Sequence, residues 1–353
     1  MKPDTAAILD AFDRQVEFSR LLGSEFMAHV VAACAADIRG GGPTAKLVAQ
    51  AEGDPVDSAL CMRVAGGLHR HALDDPDGGL ASLYPSGADH GSATDGALRA
   101  AIAEAIESAP DLHRDYLTRA PQTNEVSRSA ILMAGYLTIV ENDGLPLDVR
   151  EIGASAGLNQ SFDRFHYRFG DSSWGEASAP VRLEPSWRGD PPPVDAGLHV
   201  RSRAACDIAP IDVRDPEAVR RLEAYVWPDQ PARMQRLRAA VALAANLDVR
   251  VERASADAWL QQQLADRTPG ATMVVAHSVM WQYMPAEVQC RAEAAIVDAG
   301  RQATQDAPLA WLSMELWEDR QKPPVLRLRS WPDDRVRDLA VAHPHGAAAR
   351  WFG

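Results

Sequence analysis

The sequence predicts an α/β protein in which a helical N-terminal domain, residues 1–145, precedes a sheet-containing domain, residues 146–353. Two observations predict this organisation. Apolar residues recur at mostly helical spacing before Leu147, without strand-like alternation. After Leu147, strand-like runs alternate with helical segments, which is typical of a parallel sheet with right-handed crossovers. The helical domain is expected to act as a substrate lid.

Composition excludes several classes of protein. The formal charge of −13 argues against a partner bound through nucleic-acid phosphates. No segment approaches the length of a membrane-spanning helix, and the acidic N-terminus does not resemble a signal peptide. The four cysteines lie far apart without metal-site spacing, so we expect a cytoplasmic protein with no metal. The expected partner is a small molecule, and the sequence leaves the oligomeric state open.

The C-terminal half contains the predicted sheet. Residues 147–152 form its first strand, and an irregular insertion rich in Pro, Gly and Trp follows at 171–197. The next predicted strands are 198–205, 248–253, 271–276 and 309–315, with a helix at 285–300. Two last strands, 325–331 and 338–342, form a terminal hairpin around a Pro-Asp-Asp turn.

A turn of small residues, 153–157, follows the first strand. Leu158, Phe162 and Phe165 have helical spacing, so the segment predicts strand, tight turn and helix. Glycine lets a ligand approach the backbone, and the N-terminus of a helix offers free N–H groups. With Glu151 as an acceptor at the end of the strand, the segment is a candidate nucleotide-type site. A plain turn that binds nothing is the alternative.

The same turn spells G-x-S-x-G, the pattern of a hydrolase nucleophile elbow. In that interpretation Ser155 is the nucleophile, and Asp257 with His277 or His343 completes a triad. A hydrolase elbow follows several earlier strands of its sheet, whereas everything before Leu147 is predicted to be helical. The pattern therefore favours the nucleotide-type site over a serine hydrolase.

Five β-α units, a closing hairpin and the glycine turn resemble the seven-stranded Rossmann-like fold of class I S-adenosylmethionine-dependent methyltransferases. The resemblance implies that Asp207 holds the ribose hydroxyls and that Asp257 faces the adenine. Two features depart from the family pattern: Ser155 replaces the middle glycine, and the insertion delays the acidic residue after the second strand. The cofactor contacts implied by the resemblance are Glu151, Gly153, Ala154, Ser155, Gly157, Asp207, Asp257 and His277.

The segment after the fourth strand is expected to border the transferred methyl group. Methyl transfer depends mainly on positioning, and a base is needed only when the acceptor must lose a proton. His277 is the candidate base, and Tyr283 is a second candidate catalytic residue. Trp281 and Tyr283 could surround the sulfonium with aromatic faces. The structural alternatives are a hydrogen-bonded turn histidine and ordinary aromatic packing.

The candidate substrate contacts are Trp281 and three residues before the first strand, Asn124, Glu125 and Arg128. The alternatives are that Asn124 caps a helix at 124–140 and that Glu125 and Arg128 form a surface ion pair. Residues 225–230 could form a lid, an interface or a turn. His343 and His345 lack companion metal ligands at recognisable spacing.

The whole chain is similar to an uncharacterised bacterial family, domain of unknown function 2332. The similarity rests on residues 123–128, the glycine turn, Cys206-Asp207, residues 225–230, 277–283 and 343–346. It implies no activity. The sequence therefore predicts a methyltransferase with a small or medium-sized acceptor, and a non-catalytic ligand-binding protein on the same fold is the alternative. A serine hydrolase using Ser155 is the less favoured third interpretation.

Overall fold

The computed structural model describes residues 3–85, 94–247, 250–316 and 322–353. The described helices are α1 (Thr5–Leu21), α2 (Glu25–Arg39), α3 (Pro43–Val48), α4 (Leu60–Asp74), α5 (Gly79–Ser82), α6 (Asp95–Ser108), α7 (Pro110–Thr118), α8 (Arg128–Asp143), α9 (Pro216–Ala224), α10 (Pro231–Asn246), α11 (Ala256–Ala265) and α12 (Ala286–Arg301). The described strands are β1 (Leu147–Ile152), β2 (His166–Phe169), β3 (Ser172–Trp174), β4 (Arg182–Leu183), β5 (Ser186–Arg188), β6 (Val200–Asp207), β7 (Val251–Arg253), β8 (Thr272–Ser278), β9 (Leu309–Glu315), β10 (Val325–Trp331), β11 (Arg335–Ala342) and β12 (Ala348–Trp351).

Contacts divide the chain into two compact units. The helical unit is Met1–Thr123 with Pro216–Gln235, and the sheet unit is Asn124–Asp215 with Arg236–Gly353. The sequence predicted a single boundary at 145/146, whereas the contacts assign α8 to the sheet unit and α9 to the helical unit. α8 packs on β9 and α9 packs on α4, so each helix buries its apolar side within its own unit.

The helical unit begins with two helices, α1 and α2, although the spacing of the apolar residues would also permit a single long helix. Gly23 adopts a left-handed φ of +78°, which ends the path of α1. Ser24 then caps α2, because its hydroxyl accepts a hydrogen bond from the Met27 N–H at 3.1 Å. The break folds α2 back onto α1, so that Phe12 and Val30 are buried in one core.

The main sheet of the sheet unit has nine described strands in the order β5-β12-β11-β10-β9-β8-β1-β6-β7. β7, β6, β1, β8 and β9 are mutually parallel. β10 is antiparallel to β9 and β11, β12 is antiparallel to β11, and the edge strand β5 is parallel to β12. The mixed α/β class with a mostly parallel central sheet is confirmed. The predicted count of seven strands was wrong, because β12 and β5 extend the sheet beyond the terminal hairpin.

The insertion at 171–197 forms parts of two sheets. β2, β3 and β4 make a small three-stranded sheet, and β5 crosses to the edge of the main sheet to pair with β12. Trp187 of β5 packs against Trp351 with ring centroids 5.6 Å apart. Aromatic packing of this kind anchors a strand that is only three residues long.

Helices cover both faces of the sheet. Successive side chains of β9 point to opposite faces, and all of them are buried, so both faces must be covered. Leu312 lies against α8, where a Cβ at Gly135 would be 2.4 Å from Leu312 Cδ1. Trp311, one residue earlier, joins the core with α11 and α12 on the other face. β9 is buried along its whole length and is a mostly apolar run, whereas β10 largely alternates between buried and partly buried residues. These two patterns explain why the sequence predicted both strands with their observed bounds.

Gly300→Ala is expected to destabilise the sheet unit by about 1–3 kcal/mol. The new methyl group would lie 2.4 Å from the buried indole of Trp331, and this overpacking outweighs the gain in helix propensity. Urea unfolding measures the change. Gly197→Ala is the matched control, because no atom lies within 4 Å of its new Cβ. Equal effects of the two substitutions would contradict the packing described here.

Candidate functional site

The candidate site is at the carboxyl edge of the sheet, where β1 lies between β6 and β8. Glu151 is in register with Ala205 of β6 and with Ala276 of β8. β1 is buried along almost its whole length, with Arg150 as the one partly exposed residue of the strand. Side chains at the ends of three parallel strands therefore share one edge.

The turn after β1 depends on left-handed backbone conformations. Gly153, Ser155 and Gly157 have φ values of +66°, +55° and +70°. The Ala154 N–H donates to the Cys206 carbonyl at 3.1 Å, and the Gly157 N–H donates to the Ala154 carbonyl at 2.8 Å. Glycine tolerates such φ values, whereas Ser155 holds one at an energetic cost.

The segment after the turn differs from the prediction. Residues Leu158–Arg164 form a 3₁₀ helix with a kink at Ser161, and the chain then enters β2. Phe162 stacks on Tyr136 of α8 with ring centroids 4.2 Å apart, so tertiary packing overrides the helical spacing. A helix does follow the turn, but it is a short, kinked 3₁₀ helix, and its first N–H, that of Leu158, donates to Asn124 Oδ1 and is not free for a ligand.

Glu151 is a buried carboxyl group with a raised pKa. Its side chain is 5% exposed, and its Oε2 accepts a hydrogen bond from Gln160 Nε2 at 2.6 Å. Desolvation, the largest cause, and the charge of Asp207 together raise the pKa of Glu151 to about 7, against the opposing effect of the Gln160 hydrogen bond. At neutral pH the group is therefore able to donate or accept a proton.

Asp207 connects the end of β6 to the glycine turn. Its Oδ2 accepts from the Ser155 N–H and its Oδ1 accepts from the Ala209 N–H, each at 2.8 Å. Each carboxylate oxygen can accept more than one hydrogen bond, so both keep capacity for a ligand hydroxyl. The structure thus brings Asp207 together with the turn and Glu151, as predicted for a ribose-binding acid.

Asp257 forms an ion pair with Arg291 of the neighbouring helix α12. It lies in the first turn of α11, and its Oδ2 accepts from Arg291 Nε at 2.6 Å. Its Oδ1 accepts a short hydrogen bond from the Ser255 hydroxyl. The Ser255 hydrogen bond, together with Arg291, lowers the pKa of Asp257. Its predicted adenine contact stays a prediction.

His277 is fully buried, and both of its ring nitrogens are hydrogen-bonded. The Trp311 indole N–H donates to His277 Nε2 at 2.8 Å, so the neutral ring carries its proton on Nδ1. That Nδ1–H then donates to Glu315 Oε1 at 2.7 Å. Trp281 stacks on the ring at 5.0 Å between centroids. This arrangement orients His277 and occupies the lone pair that a base requires.

Sequence reasoning missed Glu315 and Trp311 as partners of His277. Both lie on β9, the strand next to β8, and Glu315 is the last residue of that strand. A carboxylate at the end of a buried apolar run is the signal that could have found Glu315. Its Oε1 also accepts from the Met280 N–H at 3.0 Å, which fixes the backbone after β8.

The two predicted aromatic residues have different environments. Trp281 is 8% exposed and packs on His277, whereas the Tyr283 side chain is 73% exposed. Met280 lies over the glycine turn, because a Cβ at Gly153 would be only 2.7 Å from its side chain. Gly153 is therefore required for this approach.

The predicted substrate residues belong to the same unit as the turn. Asn124 Oδ1 accepts a hydrogen bond from the Leu158 N–H at 3.0 Å and so holds the start of the 3₁₀ helix. Asn124 does not cap α8, because Ser127 is the residue that precedes this helix. Arg128 donates to the Pro344 carbonyl at 2.8 Å and to the Ser278 carbonyl at 3.3 Å. Glu125 is 7% exposed, so it is not a surface residue.

Four buried side-chain oxygens near this edge have no hydrogen-bond partner among the described residues. They are Ser155 Oγ, Gln160 Oε1, Ser161 Oγ and Glu315 Oε2. Buried polar groups are normally hydrogen-bonded, so such a group of atoms is a feature of ligand sites. Ser155 Oγ therefore has no bond to a histidine, and the geometry does not assemble the proposed hydrolase triad.

The described part of the chain contains neither a group of metal ligands nor a membrane-spanning helix. Among residues 3–85, 94–247, 250–316 and 322–353, no three His, Cys, Asp or Glu side chains are grouped to hold a metal ion. Within the same ranges, no helix has the length and apolar character needed to cross a membrane.

The chain matches the model of a bacterial protein family. A family model described as "Uncharacterized protein conserved in bacteria (DUF2332)" matches residues 9–351, which is nearly the whole chain. No curated protein and no solved structure matches the chain.

The raised pKa of Glu151 predicts a pH-dependent stability. Between its ordinary value of 4.5 and about 7, the folded state binds more protons than the unfolded state, so stability falls as pH rises through this window. Glu151→Gln removes the effect, which amounts to ~3 kcal/mol at most. Denaturant unfolding of both proteins at several pH values measures the difference. Glu184→Gln, at a half-exposed site, is the control; a wild-type pH slope in Glu151→Gln would contradict the assignment.

A fluorophosphonate probe is expected to leave Ser155 unlabelled, because the hydroxyl has no base to remove its proton. Mass spectrometry of the treated protein measures the modification. Labelling that disappears in Ser155→Ala would support the hydrolase interpretation instead.

Proposed function

Since the chain belongs to the bacterial family DUF2332, whose description names no activity, we propose a function from the site itself. The protein binds S-adenosylmethionine at the carboxyl edge of β6, β1 and β8 and transfers its methyl group to a small or medium-sized acceptor. The observation that carries the proposal is the strand order β7-β6-β1-β8-β9. The chain moves from β1 towards β7 and then returns to β8 on the other side of β1, and ligands of α/β sheets bind at such a switch point.

The residues at this switch point suit an adenosyl ligand. Asp207 and Glu151 are acceptors for ribose hydroxyls, and the left-handed turn lets a ligand approach the backbone closely. Gln160 Oε1 and Ser155 Oγ are buried polar atoms without partners in the described chain. Met280 covers Gly153, and its flexible side chain has to move aside when the ligand enters. When bound, the cofactor supplies an electrophilic methyl group.

The chain's own residues contribute position and proton transfer. Glu151, with a pKa of about 7, is the group near the turn best suited to hold or release a proton. His277 acts as a positioning residue, because Trp311 and Glu315 occupy its two nitrogens. Its ring supports Trp281, and Glu315 fixes the Met280 backbone.

A second candidate is a binding protein on the same fold without catalysis. Two observations favour it. Both ring nitrogens of His277 are hydrogen-bonded to other side chains, and Tyr283 is exposed to solvent. The two candidates share a ligand site and differ only in turnover. Incubation with methyl-labelled S-adenosylmethionine and the small-molecule fraction of a bacterial extract separates them, since only the methyltransferase forms S-adenosylhomocysteine.

Calorimetric titration with S-adenosylmethionine and S-adenosylhomocysteine tests the shared site. We expect micromolar binding that weakens about tenfold in Asp207→Asn, because the amide replaces a charged acceptor with a mixed donor and acceptor. Glu184→Gln is the control for a change of charge away from the site, and thermal unfolding checks that each variant is folded. Absence of heat from folded wild-type protein would reject the cofactor, and equal affinity in Asp207→Asn would reject the proposed role of Asp207.

A further inference from the structure

The helical unit contains a second group of polar side chains that the chain itself leaves unsatisfied. We call it the Arg-Tyr cluster: Arg63 of α4, Tyr116 of α7, Arg221 of α9 and Tyr225, which directly follows α9. Tyr116 is fully buried and Tyr225 is 2% exposed. None of these residues belongs to the carboxyl-edge site, and all four lie within one compact unit.

The members of the Arg-Tyr cluster are close together. The rings of Tyr116 and Tyr225 have centroids 5.7 Å apart, and the Arg221 guanidinium carbon is 4.3 Å from the centre of the Tyr116 ring. Burial raises the pKa of Tyr225 to about 12, and Arg221 and Arg63 are near enough to oppose this shift. Gly66 permits the packing, because a Cβ there would be 2.6 Å from Tyr225 Cε1.

Four buried atoms of the cluster lack a hydrogen-bond partner among the described residues. They are Arg63 Nε, Tyr116 Oη, Arg221 Nη1 and Tyr225 Oη. The guanidinium nitrogens are donors only, and each phenol carries one donor. Arg70 and Arg221 interact with the phenol oxygens of Tyr116 and Tyr225, which uses the acceptor side of each phenol but provides no acceptor for its O–H. A buried donor without an acceptor is costly, so these donors together indicate a missing acceptor.

The neighbouring carboxylates do not account for these donors. Asp115 binds Arg221 through Nη2, and the adjacent Arg70 is bound by Asp74 and Glu217. Arg63 Nη1 donates to the Leu117 carbonyl at 2.9 Å. In the described part of the chain, Arg63 has no carboxylate within ion-pair distance, so its positive charge is uncompensated there.

From this geometry we propose that the Arg-Tyr cluster binds a phosphate group, either as free phosphate or as a phosphomonoester. The four donors come from three helical segments, whereas the acceptor sites of a carboxylate all lie close to one plane. A phosphate group offers at least three equivalent oxygens and a charge that compensates Arg63. Arginine binds phosphate through its planar fork of N–H groups, and tyrosine hydroxyls add directional hydrogen bonds.

Titration of the full chain with inorganic phosphate in Hepes buffer tests this site. Calorimetry is expected to show binding, and thermal unfolding is expected to show a Tm that rises with phosphate concentration. Arg63→Gln and Tyr225→Phe should each weaken phosphate binding about tenfold, since each removes a charged or buried hydrogen bond. Arg14→Gln, which changes an exposed arginine on α1, is the control and should bind phosphate like the wild type.

A stability measurement makes the test independent of binding. In phosphate-free buffer, Tyr225→Phe should leave Tm unchanged or higher, because it removes a buried hydroxyl that has no partner. A parallel titration with glycerol phosphate distinguishes the sources: tighter binding than inorganic phosphate supports an ester, and equal binding supports the free ion. The proposal is overturned by absence of phosphate binding to folded wild-type protein, by wild-type affinity in both cluster variants, or by a lower Tm of Tyr225→Phe without phosphate.

Discussion

The pairing of β1 with β6 on one side and β8 on the other is the constraint on which the candidate site depends. It fixes Glu151 and the glycine turn at the centre of the sheet edge. Two residues at the end of β6 fix the conformation of the glycine turn. Asp207 accepts a hydrogen bond from the Ser155 N–H, and the Cys206 carbonyl accepts one from the Ala154 N–H. A shift of β1 by one residue would move Glu151 to the opposite face and disconnect the turn from Asp207.

The electrostatics of this edge favour a ligand with hydroxyl groups and a positive charge. Glu151 and Asp207 are near enough for one to raise the pKa of the other, and burial adds to the shift at Glu151. A sulfonium ion and ribose hydroxyls provide both a charge and donors for such carboxylates. The Arg-Tyr cluster of the helical unit has the opposite character, since it presents donors and an uncompensated Arg63. We therefore propose that the two sites bind ligands of different chemistry.

The sequence predicted those features that depend on local patterns. The buried strand β9 is a mostly apolar run, and the antiparallel strand β10 largely alternates between buried and partly buried residues, so both were predicted with their observed bounds. The helix predicted after the turn is present as a short 3₁₀ helix, Leu158–Arg164. Its kink at Ser161 and the stacking of Phe162 on Tyr136 were not predicted, because helical spacing does not reveal tertiary packing. The partners of His277 could not be predicted, because Trp311 and Glu315 are more than thirty residues away and meet it only through strand pairing. The Arg-Tyr cluster likewise joins α9 to two helices, α4 and α7, that lie about a hundred residues or more earlier in the chain.

A crystal structure of the chain with S-adenosylhomocysteine would show directly whether the ligand binds at this edge of the sheet. We expect an adenosyl group at the carboxyl ends of β1 and β6, with the ribose hydroxyls donating to Asp207 and the Met280 side chain displaced from Gly153. A ligand bound elsewhere, or a turn that stays covered by Met280 in crystals with saturating ligand, would contradict it.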